Sequence, residues 1–455
     1  MTMVCISLLL VLEMPLSLRG DDYRYATNAG TITITSYTGP GGVVAVPASV
    51  QGLPVTSIGN EAFIYCGDVL EVAIPDTVTS LGDAAFYGCF SLTAVTLPEG
   101  LTSIGEQAFR WCLSLGGVHI PASVSSIGEL AFNSCESLLA ISVEPQNATY
   151  SSRDGLLLDH SQTTLITFPA GLAGDVTLPD GLVTIGLAAL ASCHFVSSVA
   201  VPGSVTTIEE GAFANCSLAG ISLPNGVTNI GRYAFSSCPN LAEVVIPGSV
   251  TGLQEGVFKD CPSLTRITIP GSINSIGYGA FANCTALTNV DILTGVNSIA
   301  KQAFYECTAL FSVVMPNSVT VIGAEAFFYC TNLAAVYCEG NAPSPGLYAF
   351  DFDDHATIYY LPETTGWAET YGGRPTAIWR PRIQAADGNF GVSTNHFGFT
   401  IAWASDKMVV VEACPDLAQP AWSPIGTNTL DGGSSYFVDP EPANRPRCYY
   451  RVRAL

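Results

Sequence analysis

Residues 74–98 read IPDTVTSLGDAAFYGCFSLTAVTLP, and the spacing of their apolar residues predicts the fold. From Leu81 to Cys89 the apolar residues fall at i, i+4, i+5 and i+8, which is the spacing of one face of a short helix or 3-10 turn. Residues 92–97 then mark a short strand, which ends at a proline that has no amide to donate. The stretch therefore predicts one strand and one short helical segment within a 23-residue unit.

This unit recurs along most of the chain. Eleven of the fifteen cysteines share one register, and eight of the ten intervals between them are 23 residues long. The eleven are Cys66, Cys89, Cys112, Cys135, Cys193, Cys216, Cys238, Cys261, Cys284, Cys307 and Cys330. Because a single coil cannot bury its apolar face, neighbouring coils must stack around a continuous core. The repeat predicts a stacked ladder of phenylalanines and a row of free, buried cysteines that act as small hydrophobes. The period fails after Cys330.

Segments such as 120–128, IPASVSSIG, carry a family resemblance. Over about residues 22 to 380 the chain resembles the BspA-type leucine-rich repeat family of bacterial and protist surface proteins. The resemblance implies adhesion or protein binding at a cell surface, without catalytic activity. The predicted fold class is an α/β leucine-rich-repeat solenoid, with a short strand and a short helix or 3-10 turn in each coil. A β-rich N-terminal cap and a small C-terminal all-β sandwich complete it.

The chain divides into a series of predicted segments. An apolar run from Ile6 to Leu12 suits a secretory signal peptide and is too short to span a bilayer. A hairpin insertion at about 144–178 is either a tolerated loop or a binding protrusion. The segments are a signal peptide at 1–20, an N-terminal β cap at 21–45, a leucine-rich repeat solenoid at 46–341, a closing cap at 342–380 and a β-sandwich module at 381–455.

The last of these segments, 381–455, has no repeat and contains several short strand patterns. Its final stretch, 448–454, reads CYYRVRA and resembles a strand of fibronectin type III modules. Cys414 and Cys448 lie in this segment, and the sequence leaves open whether an exported protein would bridge them. The role of the module is equally open from the sequence.

Composition and motifs exclude several classes of function. Charged residues make up only 12% of the chain, and the formal net charge is -22. Such an acidic field repels phosphate backbones and anionic lipid heads, so we expect no nucleic-acid partner. The five histidines are scattered without ligand or triad spacing, and no Gly-x-Ser-x-Gly elbow, phosphate loop or His-Glu-x-x-His motif occurs. We therefore expect no enzyme activity, no cofactor, no metal and no membrane span.

Outward-facing strand positions are where a ligand would bind, because the repeat residues face inward. These positions are small and neutral in the first half of the chain, and several become polar or charged further on. The predicted ligand-binding residues are Glu243, Val245, Arg266, Thr268, Asn289 and Asp291. We expect a secreted or cell-surface monomer that binds a protein, matrix or cell-surface ligand. A structural scaffold element of the envelope or extracellular matrix is the alternative.

Overall fold

A computed structural model describes residues 22–393, 396–417, 420–440 and 448–455. The predicted signal peptide, residues 1–20, lies outside the described residues. The described residues form two compact units, one that ends at Leu264 and one that begins at Thr265. In each unit the repeats form the coils of a solenoid, as the sequence predicts, and strands and turns build these coils.

In the first unit the strands of successive coils form two rows. The longer strands, here called the long row, are Gly42–Ala45, Val69–Ala73, Ala94–Thr96, Gly117–Ile120, Ala140–Val143, Gly174–Thr177, Val196–Ala200, Gly220–Ser222 and Glu243–Val245. The two-residue strands, here called the short row, are Ser80–Leu81, Ser103–Ile104, Ser126–Ile127, Thr184–Ile185, Thr207–Ile208 and Asn229–Ile230. Paired strands within a row run parallel, so that Val118 lies opposite Ile141 and Ile104 lies opposite Ile127.

Antiparallel strands close the start of the first unit. Tyr23–Asn28 pairs with Thr31–Tyr37, which in turn pairs in parallel with Leu53–Ile58. The two-residue strand Ser49–Val50 also pairs with Leu53–Ile58, in the antiparallel sense. The added strands cover the edge of the first short-row strands, which would otherwise present unpaired amides and carbonyls.

The insertion is built into the stack of the first unit. Tyr150–Arg153 forms a hairpin with Leu156–Asp159, which then pairs with Thr164–Thr167. Thr164–Thr167 runs parallel to a short-row strand and so occupies a place in that row. Leu157 and Leu158 are fully buried, so the hairpin contributes to the core.

The second unit continues the same pattern and ends in a module of two antiparallel sheets. Its long row is Arg266–Ile269, Asn289–Ile292, Ser312–Met315, Ala335–Cys338, Thr357–Tyr360 and Arg374–Ile378, and Thr370–Tyr371 pairs with the last of these. Its short row is Ser275–Ile276, Ser298–Ile299, Val321–Ile322 and Ser344–Pro345. One sheet of the module holds Arg382–Gln384, Gly391–Ser393, His396–Ala402 and Ser434–Val438. The other holds Met408–Cys414, Ser423–Thr429 and Tyr449–Ala454, and a 3-10 turn spans Asp431–Gly433.

The predicted helix of each coil is absent, and the α/β class is wrong for this reason. No α-helix occurs in the described parts of the chain. Between residues 82 and 89 the backbone instead makes successive turns, in which Ala84 and Gly88 adopt positive φ angles of 52° and 70°. Consecutive turns bring the same apolar residues to one side as a helix would, so the sequence pattern does not distinguish them.

Hydrogen bonding explains why turns replace the helix. The Phe86 amide donates to the Ala108 carbonyl of the next coil at 2.7 Å, whereas the Tyr87 amide donates to Ala84 within its own coil at 3.1 Å. A helix would use its amides internally and needs about 8–10 Å from its neighbour. Strands stack at about 4.8 Å, so only a flat turn segment can keep the spacing of the strands on the other faces.

Phenylalanines stack along the core in both units, which confirms the predicted ladder. Phe86 and Phe109 have ring centroids 5.1 Å apart and are within 2° of parallel. In the second unit Phe327 stacks on Phe350 at 5.3 Å, so the ladder extends one coil beyond the point where the sequence period was expected to fail. The ladder needs close backbone approach as well, because a Cβ on Gly105 would overlap the backbone of the preceding coil.

Candidate ligand-binding surface

Four of the predicted binding residues lie on two paired long-row strands of the second unit. Arg266 lies opposite Asn289, and Thr268 lies opposite Asp291, in parallel register. All four residues are exposed, while the isoleucines and the valine that alternate with them are buried. The alternation of a strand therefore presents these polar groups together on one outward surface.

Arg266 and Asp291 carry opposite charges on this surface, on strands about 4.8 Å apart. Among the residues that the structure describes, neither side chain takes part in an ion pair or a side-chain hydrogen bond. Even a formed ion pair at such an exposed place would contribute only about 0–1 kcal/mol, so folding does not require these two charges. Both groups are free to contact a ligand without losing an internal partner.

The other two predicted residues, Glu243 and Val245, belong to the first unit. They lie at the ends of the strand Glu243–Val245, which pairs with Gly220–Ser222. Glu243 is exposed, and the Val245 side chain is 58% exposed although it is apolar. Within its own unit this strand thus offers one carboxylate and one apolar contact.

Further along the second unit the C-terminal module covers the same outward surface. Tyr337 and Tyr359 occupy outward positions and stack on each other at 5.1 Å. The Trp379 ring lies 4.8 Å from Tyr337, and the Arg382 guanidinium donates a hydrogen bond of 2.8 Å to the Tyr337 hydroxyl. The surface therefore already packs against one folded module of this chain.

Polar contacts also hold the C-terminal module against the last coils. Lys407 and Glu363 form an ion pair with 2.6 Å between Nζ and Oε1. The amide of Ser405 donates to Glu339 at 3.4 Å, and burial raises the pKa of the Glu339 carboxyl. The Trp403 indole donates to the Trp379 carbonyl at 3.1 Å. These contacts join the module to the last coils through both apolar and polar groups.

The ladder cysteines are free and contribute more than volume. All fourteen cysteines that the structure describes are unbridged, including Cys414 and Cys448. At least eight ladder thiols donate to the carbonyl of the ladder phenylalanine, or its leucine substitute, one coil earlier. Cys112 Sγ, for example, lies 3.2 Å from the Phe86 oxygen. Burial raises the pKa of the Cys135 thiol to about 12, so it stays protonated and can donate. The ladder cysteines, which the sequence predicts to act as small hydrophobes, thus also donate hydrogen bonds between coils.

The repeat is matched by a known family. The model described as "BspA type Leucine rich repeat region (6 copies)" matches residues 56–174, 172–287 and 253–366, which together are more than half of the chain. The chain belongs to the BspA-type leucine-rich repeat family. A comparison with curated proteins finds no match.

Solved structures of leucine-rich repeat proteins are similar to this chain. A leucine-rich repeat protein from Eubacterium ventriosum is 24% identical with a TM-score of 0.55, and the match covers 67% of this chain and 91% of that one. A leucine-rich repeat protein from Bacteroides ovatus is 25% identical with a TM-score of 0.50, with 77% and 100% covered. These two likenesses support the leucine-rich repeat fold. The comparisons do not confirm the fibronectin type III resemblance of the module.

One BspA-type coil departs from the repeat in a way that the sequence analysis missed. Asp353 lies 23 residues after Cys330 and takes the cysteine position of the last coil. It is fully buried, and neither carboxylate oxygen has a hydrogen bond of ordinary geometry. Desolvation raises the pKa of this carboxyl from 3.8 to about 8. The 23-residue spacing could have revealed this position, because the repeat continues for one more coil with aspartate in place of cysteine.

Two other kinds of site are absent from the described residues. Within them, no three histidine, cysteine or acidic residues form a group that could hold a metal ion. The same part of the chain has no helix long and apolar enough to cross a membrane.

Proposed function

We propose that this chain is a non-catalytic, secreted or cell-surface protein that binds another protein or a matrix component through the outward surface of its long row. The exposed and unpaired groups of Arg266, Asn289 and Asp291 carry the proposal. Polar groups that have no internal partner lose nothing but water when a ligand pairs with them. The hydrogen bond from Arg382 to Tyr337 supports it, because it places a residue of the folded module on the same surface.

Binding of the purified chain to immobilised collagen, to laminin and to intact cells tests this function. The double variant Arg266→Ala/Asp291→Ala should weaken binding about tenfold, as interface hot spots do. Asp76→Ala is the control, because Asp76 is an exposed carboxylate of the first unit that lies outside the long-row strands. Binding that survives the double variant, or falls equally in the control, would contradict the assigned surface.

Location and oligomeric state need separate measurements. Labelling of intact cells and of culture medium should find the protein outside the cytosol. Recovery of the full chain from the cytosol alone would overturn the proposal. Recovery only from insoluble envelope, with no binding in the assay above, would favour a structural scaffold. Light scattering should give the mass of a single chain, which is 47.6 kDa before removal of the predicted signal peptide.

A further inference from the structure

A second, partly exposed surface lies on the turn segments of the last coils. It consists of two residues from each of three consecutive coils, the two that follow the ladder phenylalanine. We call it the acidic aromatic patch, and its members are Tyr305, Glu306, Phe328, Tyr329, Asp351 and Phe352. Inter-coil hydrogen bonds fix its rows: the Glu306 amide donates to the Phe328 carbonyl, and the Tyr329 amide to the Asp351 carbonyl.

The four rings of the patch form one continuous aromatic surface. Tyr305 and Phe328 stack at 5.3 Å, Phe328 meets Phe352 edge-on at 5.0 Å, and Tyr329 lies 5.6 Å from Phe352. Tyr329 and Phe352 are 44% and 54% exposed. Contiguous exposed rings of this kind are typical of interaction sites and are enriched among interface hot spots.

The fold does not require aromatic residues at these positions. Other coils have Asn215 and Asn283 where this patch has Tyr329 and Phe352. The position has a positive φ, 64° at Tyr329 and 66° at Phe352, which asparagine adopts more readily than a bulky residue does. The chain thus holds exposed rings at a conformational cost that asparagine would lower.

Two carboxylates occupy opposite corners of the patch. Glu306 is in the first of the three coils and Asp351 is in the third, so they are separated by about 10 Å along the stack, twice the strand spacing. Among the described residues, neither carboxylate takes part in an ion pair. With a net charge of -22 on the whole chain, the surface attracts cations from a distance.

We propose that the acidic aromatic patch docks an arginine-rich segment of a partner protein. Guanidinium groups stack on aromatic faces and pair with carboxylates, which are the two features that this patch combines. Lysine shares the charge but not the planar stacking group, so the patch favours arginine over lysine. This surface is distinct from the long row and does not depend on its proposed ligand.

A second aromatic cluster in the first unit provides a matched control. Tyr65, Tyr87 and Trp111 occupy corresponding positions, with Tyr87 and Trp111 rings 5.2 Å apart. Here the guanidinium of Arg110 lies 5.5 Å from the Trp111 ring, so this cluster already has a cation. It resembles the patch in exposed rings and in positive φ, but no carboxylate occupies the two positions after each of its ladder phenylalanines.

Fluorescence anisotropy with labelled nonaarginine and nonalysine peptides tests the proposal, at about 150 mM salt, where distant charges are screened. The full chain should bind nonaarginine at least about threefold more tightly than nonalysine. Tyr329→Asn/Phe352→Asn should weaken nonaarginine binding about tenfold and abolish the preference. Tyr65→Asn/Trp111→Asn should change neither quantity.

A charge variant keeps the test decisive if the ring variant is unstable. Glu306→Gln/Asp351→Asn leaves the rings in place and should weaken the binding of both peptides about fivefold or more. Its control is Asp76→Asn/Glu99→Gln, which removes the same charge from exposed positions of the first unit. Equal losses in patch and control variants, or no preference for arginine in the unaltered chain, would overturn the proposal.

Discussion

The buried carboxyl of Asp353 should make the last coil less stable as the pH rises. The pKa of this carboxyl is influenced by its charged or titratable neighbours, which are Arg374, Asp351, Asp354 and Cys330. Burial outweighs the attraction of Arg374 and raises the pKa in the folded state from 3.8 to about 8. Between these values the folded carboxyl holds its proton and the unfolded one has lost it. Stability is therefore complete below about pH 4 and is lost as the pH approaches 8.

The size of the effect follows from the shift. Each pH unit above 3.8 costs about 1.4 kcal/mol while the folded carboxyl stays protonated, so the loss by pH 7 is about 4 kcal/mol. In a repeat protein this loss is felt mainly by the local coils, because each coil contacts only its neighbours. Asp353→Asn cannot ionise and should remove the pH dependence. Asp353→Cys should also restore a ladder thiol and stabilise the coil.

Amide hydrogen exchange of residues 347–361 measures this local stability. After correction for intrinsic exchange rates, protection in the unaltered chain should fall between pH 5 and pH 8 by far more than in Asp353→Asn. Glu369→Gln, which alters an exposed carboxylate of the same unit, should behave as the unaltered chain does. An equal response to pH in all of these proteins would show that Asp353 is not the group responsible.

Three further predictions concern the ladder, the coil spacing and the module. Cys112→Ala should lower the free energy of unfolding by about 1–3 kcal/mol in urea denaturation, because it removes a buried hydrogen bond; an unchanged midpoint would refute this. Gly105→Ala should lower the free energy of unfolding by about 1–3 kcal/mol or more, because the added Cβ overlaps the backbone of the neighbouring coil. Gly116→Ala, which has open space around it, should be neutral. Equal effects of the two substitutions would exclude the close approach as the cause. Tyr337→Ala should release the C-terminal module, seen as faster proteolysis near Arg382, and resistance equal to the unaltered chain would argue against this anchor.

The inward residues of the repeat were predictable because their identity is constrained. The alternation along strands such as Arg266–Ile269 also identified the outward residues correctly, since every second side chain must face away from the core. What the strand pattern could not show is which outward residues are covered. Tyr337 is outward in the sequence pattern, yet Trp379 packs on it, a contact that only the folded chain reveals.

The turn segments were less predictable for a different reason. The spacing from Leu81 to Cys89 fits both a helix and a series of turns, and only the stacking distance of the coils decides between them. The acidic aromatic patch lies on these segments. If they were helices, its residues would point to different sides of each helix and would not form one surface. Asp353 was missed because the cysteine register was used as the marker of the repeat, and aspartate ended that register one coil early.

The row of buried thiols means that local unfolding of this chain can be detected by chemical modification. Burial shields the ladder thiols of a closed coil, and it keeps the Cys135 thiol protonated by raising its pKa. A thiol in an opened coil is accessible to alkylating reagents and oxidants. The mass of an alkylated sample would therefore count opened coils, and peptide mapping would locate them. In an oxidising medium, neighbouring thiols exposed together could form a disulfide before the coil recloses, so that a brief opening leaves a permanent mark. Persistence of this fold outside a cell would then depend on how rarely coils open.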